Sequence, residues 1–255
     1  MNFLFRFHSV IRAVLIHLLC SLVLSLMAAL FVFGLWYPFP YRELSGGREL
    51  FLLVVGVDVV CGPLLTMVLF NPAKPQAELW RDIGLVVLIQ LGALGYGVWT
   101  VWEARPLFLV HEVDRFKVIA APDLRGASIT ELPVTLQPRW WSGPLTVATR
   151  EAKDAEERKK VIFESVAGGR DYGERPEFYV PYDDVAALKA LKHAKPLTVF
   201  LQKQPSQQDA ARQLAAEKGA DLAQWLYLPV IARQDWVAIL NKQGQIQGFL
   251  RGDGF

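Results

Sequence analysis

One acidic residue stands where an acid is expensive. The run Leu50–Phe70 (LFLLVVGVDVVCGPLLTMVLF) is 21 residues long, and Asp58 is its single charged residue. At about 1.5 Å per residue the run is long enough for a hydrocarbon layer of roughly 30 Å. A carboxylate at its centre costs roughly 2.5–3.5 kcal/mol on insertion scales, so Asp58 must face protein or water. Two roles fit: contact with a partner helix or a polar path, or internal pairing or a protonated state that serves packing alone. Catalysis fits poorly. An intramembrane aspartyl protease needs two aspartates sharing a proton, and no other apolar run of the chain carries an acid. His8, His17, His111 and His193 fall at no recognised metal-ligand spacing. There is no G-x-S-x-G, P-loop or G-x-G-x-x-G motif. The run Glu156–Lys160 (EERKK) reads as a solvated helix face, and Gly168–Gly169–Arg170 as a turn. Trp140–Trp141 reads as packed or headgroup-facing aromatics before it reads as a recognition element. No cofactor, no metal and no enzyme activity are expected.

The elements that must hold Asp58 are apolar helices. The chain has 255 residues and is 53% hydrophobic. The excess is concentrated in residues 1–102, where three spans are expected at about 13–36, 50–70 and 83–102. The first is too long for a signal-peptide core and has no small-residue cleavage site, so it reads as an anchor. Prolines open both links, YPFPY from Tyr37 and NPAKP from Asn71, and cannot continue a helix. Ser21, Ser25 and Ala29 on the first span, and Ala93 and Gly97 on the third, repeat every four residues, the pattern of close helix contact. Depth arithmetic at about 1.5 Å per residue puts Asp58, Ser25 and Tyr96 together, about 18–19 Å from the inner end, with Gln90 lower at about 10 Å and His17 lower still.

Residues 103–255 read as a water-soluble α+β domain: strands at Pro106–Ala120 and Trp236–Leu250, with a turn at Lys242–Gly244, enclose helices at Glu151–Val166, Asp183–His193 and Ser206–Lys218. Asp183 or Asp184 and Ser206 are the candidate helix caps. At 153 residues it is long enough to bury a core of its own. Its 21 Lys/Arg against 20 Asp/Glu argue against nucleic acid as a partner. Cys20 and Cys61 both lie in spans, which leaves the domain no disulfide, zinc or redox pair. Arg6, Arg12, Lys74 and Arg81 against Arg42 and Arg48 favour a cytoplasmic N-terminus, and three spans then put the domain outside.

Several segments together resemble the type IV pilin accessory proteins of the TfpX/TfpZ type: VDVVCGPLLTMVLFNPAKP (Val57–Pro75), RDIGLVVLIQLGALGYG (Arg81–Gly97), ARPLFLVHEVDRF (Ala104–Phe116) and DWVAIL (Asp235–Leu240). The Asp-x-x-x-Gly-Pro-Leu-Leu-Thr run is the distinctive part, and Trp80 departs from the polar or basic residue expected there. The resemblance implies a bacterial inner-membrane protein with a periplasmic domain. Such a protein would assist assembly or modulate dynamics of type IV pili through a cognate major pilin, without catalysis. Other pilus assembly components and membrane lipid are its further expected partners. The positions it singles out are Asp58, Gly62, Pro63, Thr66, Lys74, Asp82, Gln90, Tyr96, Arg105 and Pro106. The rival readings are a membrane-bound enzyme that modifies pilin and a membrane sensor with an extracytoplasmic ligand domain.

Overall fold

The computed structural model describes residues 3–255, with side chains from residue 7 onward. The Arg6 side chain, counted above for orientation, lies outside the described residues. The chain divides into two compact units: Met1–Leu35 with Gly47–Glu103, and Trp36–Gly46 with Ala104–Phe255.

The first unit is a three-helix membrane anchor. Helix α1 is Phe3–Phe31 and runs on as a π-helix over Val32–Trp36; the short helix α2 is Tyr41–Leu44; α3 is Gly47–Leu69 and α4 is Gln76–Glu103. Three of these segments are long and apolar enough to cross a membrane, Phe7–Trp36, Gly47–Leu69 and Gln76–Glu103. Helix α3 is the middle element and packs against both α1 and α4. The buried rows recur at intervals of four and seven: Ser21, Ser25 and Val32 on α1; Phe51, Asp58, Gly62 and Thr66 on α3; Val86, Gln90, Gly97 and Val101 on α4. These are one-sided seams on helices whose other faces are aliphatic and exposed. At Gly97 an added Cβ would lie 2.2 Å from Val54 Cγ1, so glycine lets the two helices approach. Ala93, expected beside it in the contact, is exposed, because the seam steps from Gln90 to Gly97.

The second unit is the α+β domain. Strands β1 (Pro106–His111), β2 (Phe116–Ala120), β3 (Leu145–Thr149), β4 (Tyr179–Pro181), β5 (Lys195–Pro196), β6 (Leu226–Ile231), β7 (Trp236–Leu240) and β8 (Ile246–Arg251) form one sheet in the order β4-β3-β1-β2-β6-β7-β8, with β5 also on β6. The pairs β1–β3 and β2–β6 are parallel and the rest antiparallel. Helices α5 (Ala155–Val166), α6 (Asp184–Leu191), α7 (Leu197–Lys203) and α8 (Gln208–Lys218) cover it. Alternation along β7 sends Trp236, Ala238 and Leu240 into one cluster with Ala190 of α6, and Val237 and Ile239 into another with α7 and α8.

Asp154 and Asp183 cap α5 and α6 by accepting from Glu157 N and Ala186 N. Ser206, expected to cap α8, instead sits inside a 3-10 turn, Pro205–Gln207, and α8 begins after it without a side-chain cap. Proline within β6 is tolerated for a local reason. Pro229 stands opposite Val237 of β7, and on its other side it falls between the stretch paired with β5 (226–227) and the stretch paired with β2 (230–231), so a missing N–H facing that side breaks no ladder bond.

Residues 36–46, the link between the first two spans, are built into this domain. Tyr37 and Leu44 are fully buried, and Tyr41 and Leu44 belong to the cluster that holds Leu109, Phe116 and Trp236. Gln234 N donates to the Leu44 carbonyl at 3.1 Å, and Trp36 Nε1 to the Trp140 carbonyl at 2.8 Å. Burial drives the Tyr37 phenol well above its usual pKa, against the opposing charge of Arg105. The boundary drawn from hydropathy at residue 103 therefore leaves out an eleven-residue piece of the domain, Trp36–Gly46.

Candidate functional site

Helix α3 carries the site. Positions 58, 62 and 66 are four apart and share one buried face, with Pro63 beside them. Pro63 supplies no N–H to the carbonyl of Val59, yet α3 runs through it as one helix. Gly62 leaves room at the same place: an added Cβ would sit 1.9 Å from Gln90 Nε2. Into this notch α4 inserts Gln90. Its Nε2 donates to the Asp58 carbonyl at 3.1 Å and to Asp58 Oδ1 at 3.2 Å, with Ser21 Oγ of α1 at 3.5 Å. The Asp-x-x-x-Gly run is thus a socket for one amide: the acid and its carbonyl accept, and glycine clears the space.

The pairing is incomplete. Gln90 Oε1 and Ser25 Oγ are buried without a partner. Among the described residues no hydrogen bond reaches Asp58 Oδ2, although the side chain is only 5% exposed. Two turns along α3, Thr66 Oγ1 bonds His17 Nδ1 of α1. Asp58, Gln90, Ser21, Thr66 and His17 form the polar floor of a groove of about 390 Å³ whose walls are mostly aliphatic, with Ile16 and Leu24 from α1 and Val87 and Leu91 from α4.

The structure brings together Asp58, Gly62, Pro63, Thr66 and Gln90, and leaves the other positions elsewhere. Lys74 and Asp82 pair with each other at 2.5 Å in the link and first turns of α4. Tyr96 is 69% exposed and stacks on Trp99 at 5.8 Å, away from the polar floor. Arg105 and Pro106 belong to the other unit, where Pro106 is the first residue of β1 and both are buried. The depth estimate placed Gln90 below Asp58 because it began the third span at residue 83. Helix α4 begins at Gln76. Seven further residues raise Gln90 by about 10 Å and bring it level with Asp58. His17 and Ser21 join the site from α1, and their signal was the four-residue step 17, 21, 25 on one helix face.

The domain has a separate cleft of about 1110 Å³ beside the C-terminal ends of β1 and β3, flanked by the first turns of α5 and α6. His111 lines it, 6% exposed, with its Nε2 buried and unpartnered. Burial, helped by the neighbouring His193 and opposed by Asp114, lowers its pKa from 6.5 to about 4, so the ring is neutral at physiological pH. Next to it Glu112 is pushed up by burial against the pull of Lys117, and accepts from Gly173 N at 2.6 Å. The rim mixes both signs of charge, with Arg115, Arg158 and Lys189 against Asp114, Glu151 and Asp183. Among the described residues no group of three His, Cys, Asp or Glu side chains could hold a metal ion.

A membrane anchor with a buried acid–amide socket, joined to an α+β domain that incorporates an inter-span link, defines the class of protein. Sequence comparison supplies the family. A family model described as "Fimbrial assembly protein FimB" matches residues 5–46. The chain is 36% identical over 247 residues to the fimbrial assembly protein of serogroup I from Dichelobacter nodosus, covering 94% of each, and 35% identical over 247 residues, again 94% of each, to that of serogroup E1. It is 42% identical over 118 residues to the protein of serogroups C1 and C2, covering 46% of this chain and 88% of that one. The chain belongs to this family of fimbrial assembly proteins, in agreement with the type IV pilus accessory resemblance of its sequence. No solved structure matches it.

Proposed function

We propose that this protein is a non-enzymatic accessory of type IV pilus assembly, held in the bacterial inner membrane with its N-terminus cytoplasmic and its C-terminal domain periplasmic, and that it acts by binding its cognate major pilin. The observation that carries this reading is the match to fimbrial assembly proteins along 94% of both chains, spans and soluble domain alike. The unit shared with those relatives is then the whole architecture, and a partner with a membrane helix and an extracytoplasmic head is met by both halves. The experiment is chemical crosslinking in cells that make this protein and its pilin, followed by purification of the protein from solubilised membranes. Recovery of pilin in the crosslinked product supports the proposal. Its absence from a product that retains other assembly components moves the contact to those components.

The cleft beside His111 favours a second reading, an extracytoplasmic ligand domain. Its volume of about 1110 Å³ is ample for a small molecule. A shift in the thermal midpoint of the purified protein with a periplasmic metabolite, and no pilin in the crosslinked product, would favour it over the first.

A further inference from the structure

We propose that the groove between α1 and α4 receives one apolar membrane-spanning helix of a different protein, and that this helix supplies a hydrogen-bond donor to Asp58 Oδ2. The inference rests on the assembly reading for the identity of the helix, but not for the existence of the seat. Helices α1 and α4 both pack on α3, so the space between them is floored by α3 and walled by side chains of the other two. The walls are aliphatic: Leu24 is 41% exposed, Val87 42% and Leu91 53%. On the floor, Asp58 Oδ2 accepts no hydrogen bond, and Gln90 Oε1 is buried without one. An acceptor without a donor is costly in hydrocarbon, where water cannot supply the bond. A lipid tail filling the groove would leave the defect in place, because it carries no donor. A helix with a hydroxyl, amide or ammonium group at mid-membrane depth would cure it while its aliphatic neighbours met the walls.

A second copy of this chain fits less well. Its exposed side chains near the depth of Asp58 are aliphatic, such as Leu22, Leu26, Val57, Val60, Leu88 and Ile89, and the exposed phenol of Tyr96, expected at that depth, lies about 9 Å beyond Gln90 on α4. Exposed Cys20 and Cys61 offer only weak S–H donors. The complement is therefore a foreign helix with a mid-span donor.

The test uses the full-length protein in cells that also make its pilin. A photo-crosslinking amino acid is placed at Leu24 or Leu91 on the groove walls, and at Leu53 or Val68 on outer faces as controls. The proposal expects an adduct from both wall positions and little from the controls, with the attached peptide mapping to a membrane helix within one turn of a donor side chain. Asp58→Leu, at unchanged protein level, should lower the wall-position yield roughly three- to tenfold, the loss of about one intramembrane hydrogen bond. Adducts with lipid only, with a second copy of the chain, or of equal yield from walls and controls would overturn it. An adduct to a helix other than pilin keeps the seat and removes pilin from it. Pilin recovered by the general chemical crosslinking, with no adduct from either wall position, keeps the assembly reading and rejects the seat.

Discussion

Replacing Gly62 by alanine tests the socket on α3 with a single methyl group. The new Cβ would lie 1.9 Å from Gln90 Nε2 and 2.4 Å from Gln90 Cδ, so the amide must leave its place. It then loses the bonds to the Asp58 carbonyl and to Oδ1. Intramembrane hydrogen bonds are worth on average about 0.6 kcal/mol and at most about 1.7, which makes the pair worth about 1–2 kcal/mol. Alanine also gains up to about 1 kcal/mol of helix propensity over glycine. The two effects oppose each other, so the net cost of Gly62→Ala is expected to be from zero to about 2 kcal/mol. A double-mutant cycle separates them, because propensity appears in both backgrounds and the amide in only one. In a Gln90→Ala background, Gly62→Ala should be neutral or stabilising by up to about 1 kcal/mol, which leaves a coupling of about 1–2 kcal/mol. Reversible unfolding in mixed detergent micelles would measure it. Additivity of the two substitutions would refute the socket.

Leu44→Ala should destabilise the soluble domain by about 2–4 kcal/mol although the residue lies in a link between spans, since Leu44 is fully buried in the domain core; local hydrogen exchange of β7 would report it, and an unchanged rate would separate the link from the core. Stability of the domain should fall with acid through His111, whose pKa of about 4 in the fold lies below its ordinary 6.5. The unfolded chain binds the proton first, so the contribution is complete above pH 6.5 and is lost as pH drops through 4, at most about 3 kcal/mol. His111→Phe should flatten the denaturant midpoint against pH across that window relative to wild type, and parallel curves would exclude the residue. A periplasm-active reporter fused after Phe255 should be active and one placed within Ala73–Glu78 silent, and the reverse pattern would remove the proposed head contact.

Hydropathy made the three spans legible because their signal is long and one-dimensional. It misplaced their ends because the polar residues Gln76–Asp82 continue α4 before the apolar run begins. That misplacement put Gln90 about 10 Å too low and hid its bond to Asp58. The motif itself was visible as a combination of acid, glycine and proline, but what it holds was not, since the amide arrives from another helix. In the domain, the apolar strand-like runs at both ends were readable, whereas β3 to β6 were not. Strands β4 and β5 are three and two residues long, and β6 carries Pro229. The least legible feature was the link 36–46. Its aromatics suit a membrane interface as well as a core, and only the fold places Tyr37, Tyr41 and Leu44 among the buried side chains.

The proposed function holds that this protein promotes pilus assembly by contact and without altering pilin covalently. The most direct measurement compares surface piliation and the intact mass of pilin in the same cells with and without the gene. Fewer surface pili in its absence, an unchanged pilin mass, and restoration by the wild-type chain are expected. A shift in pilin mass on deletion would make the protein part of a modification step, and full piliation without it would contradict the account.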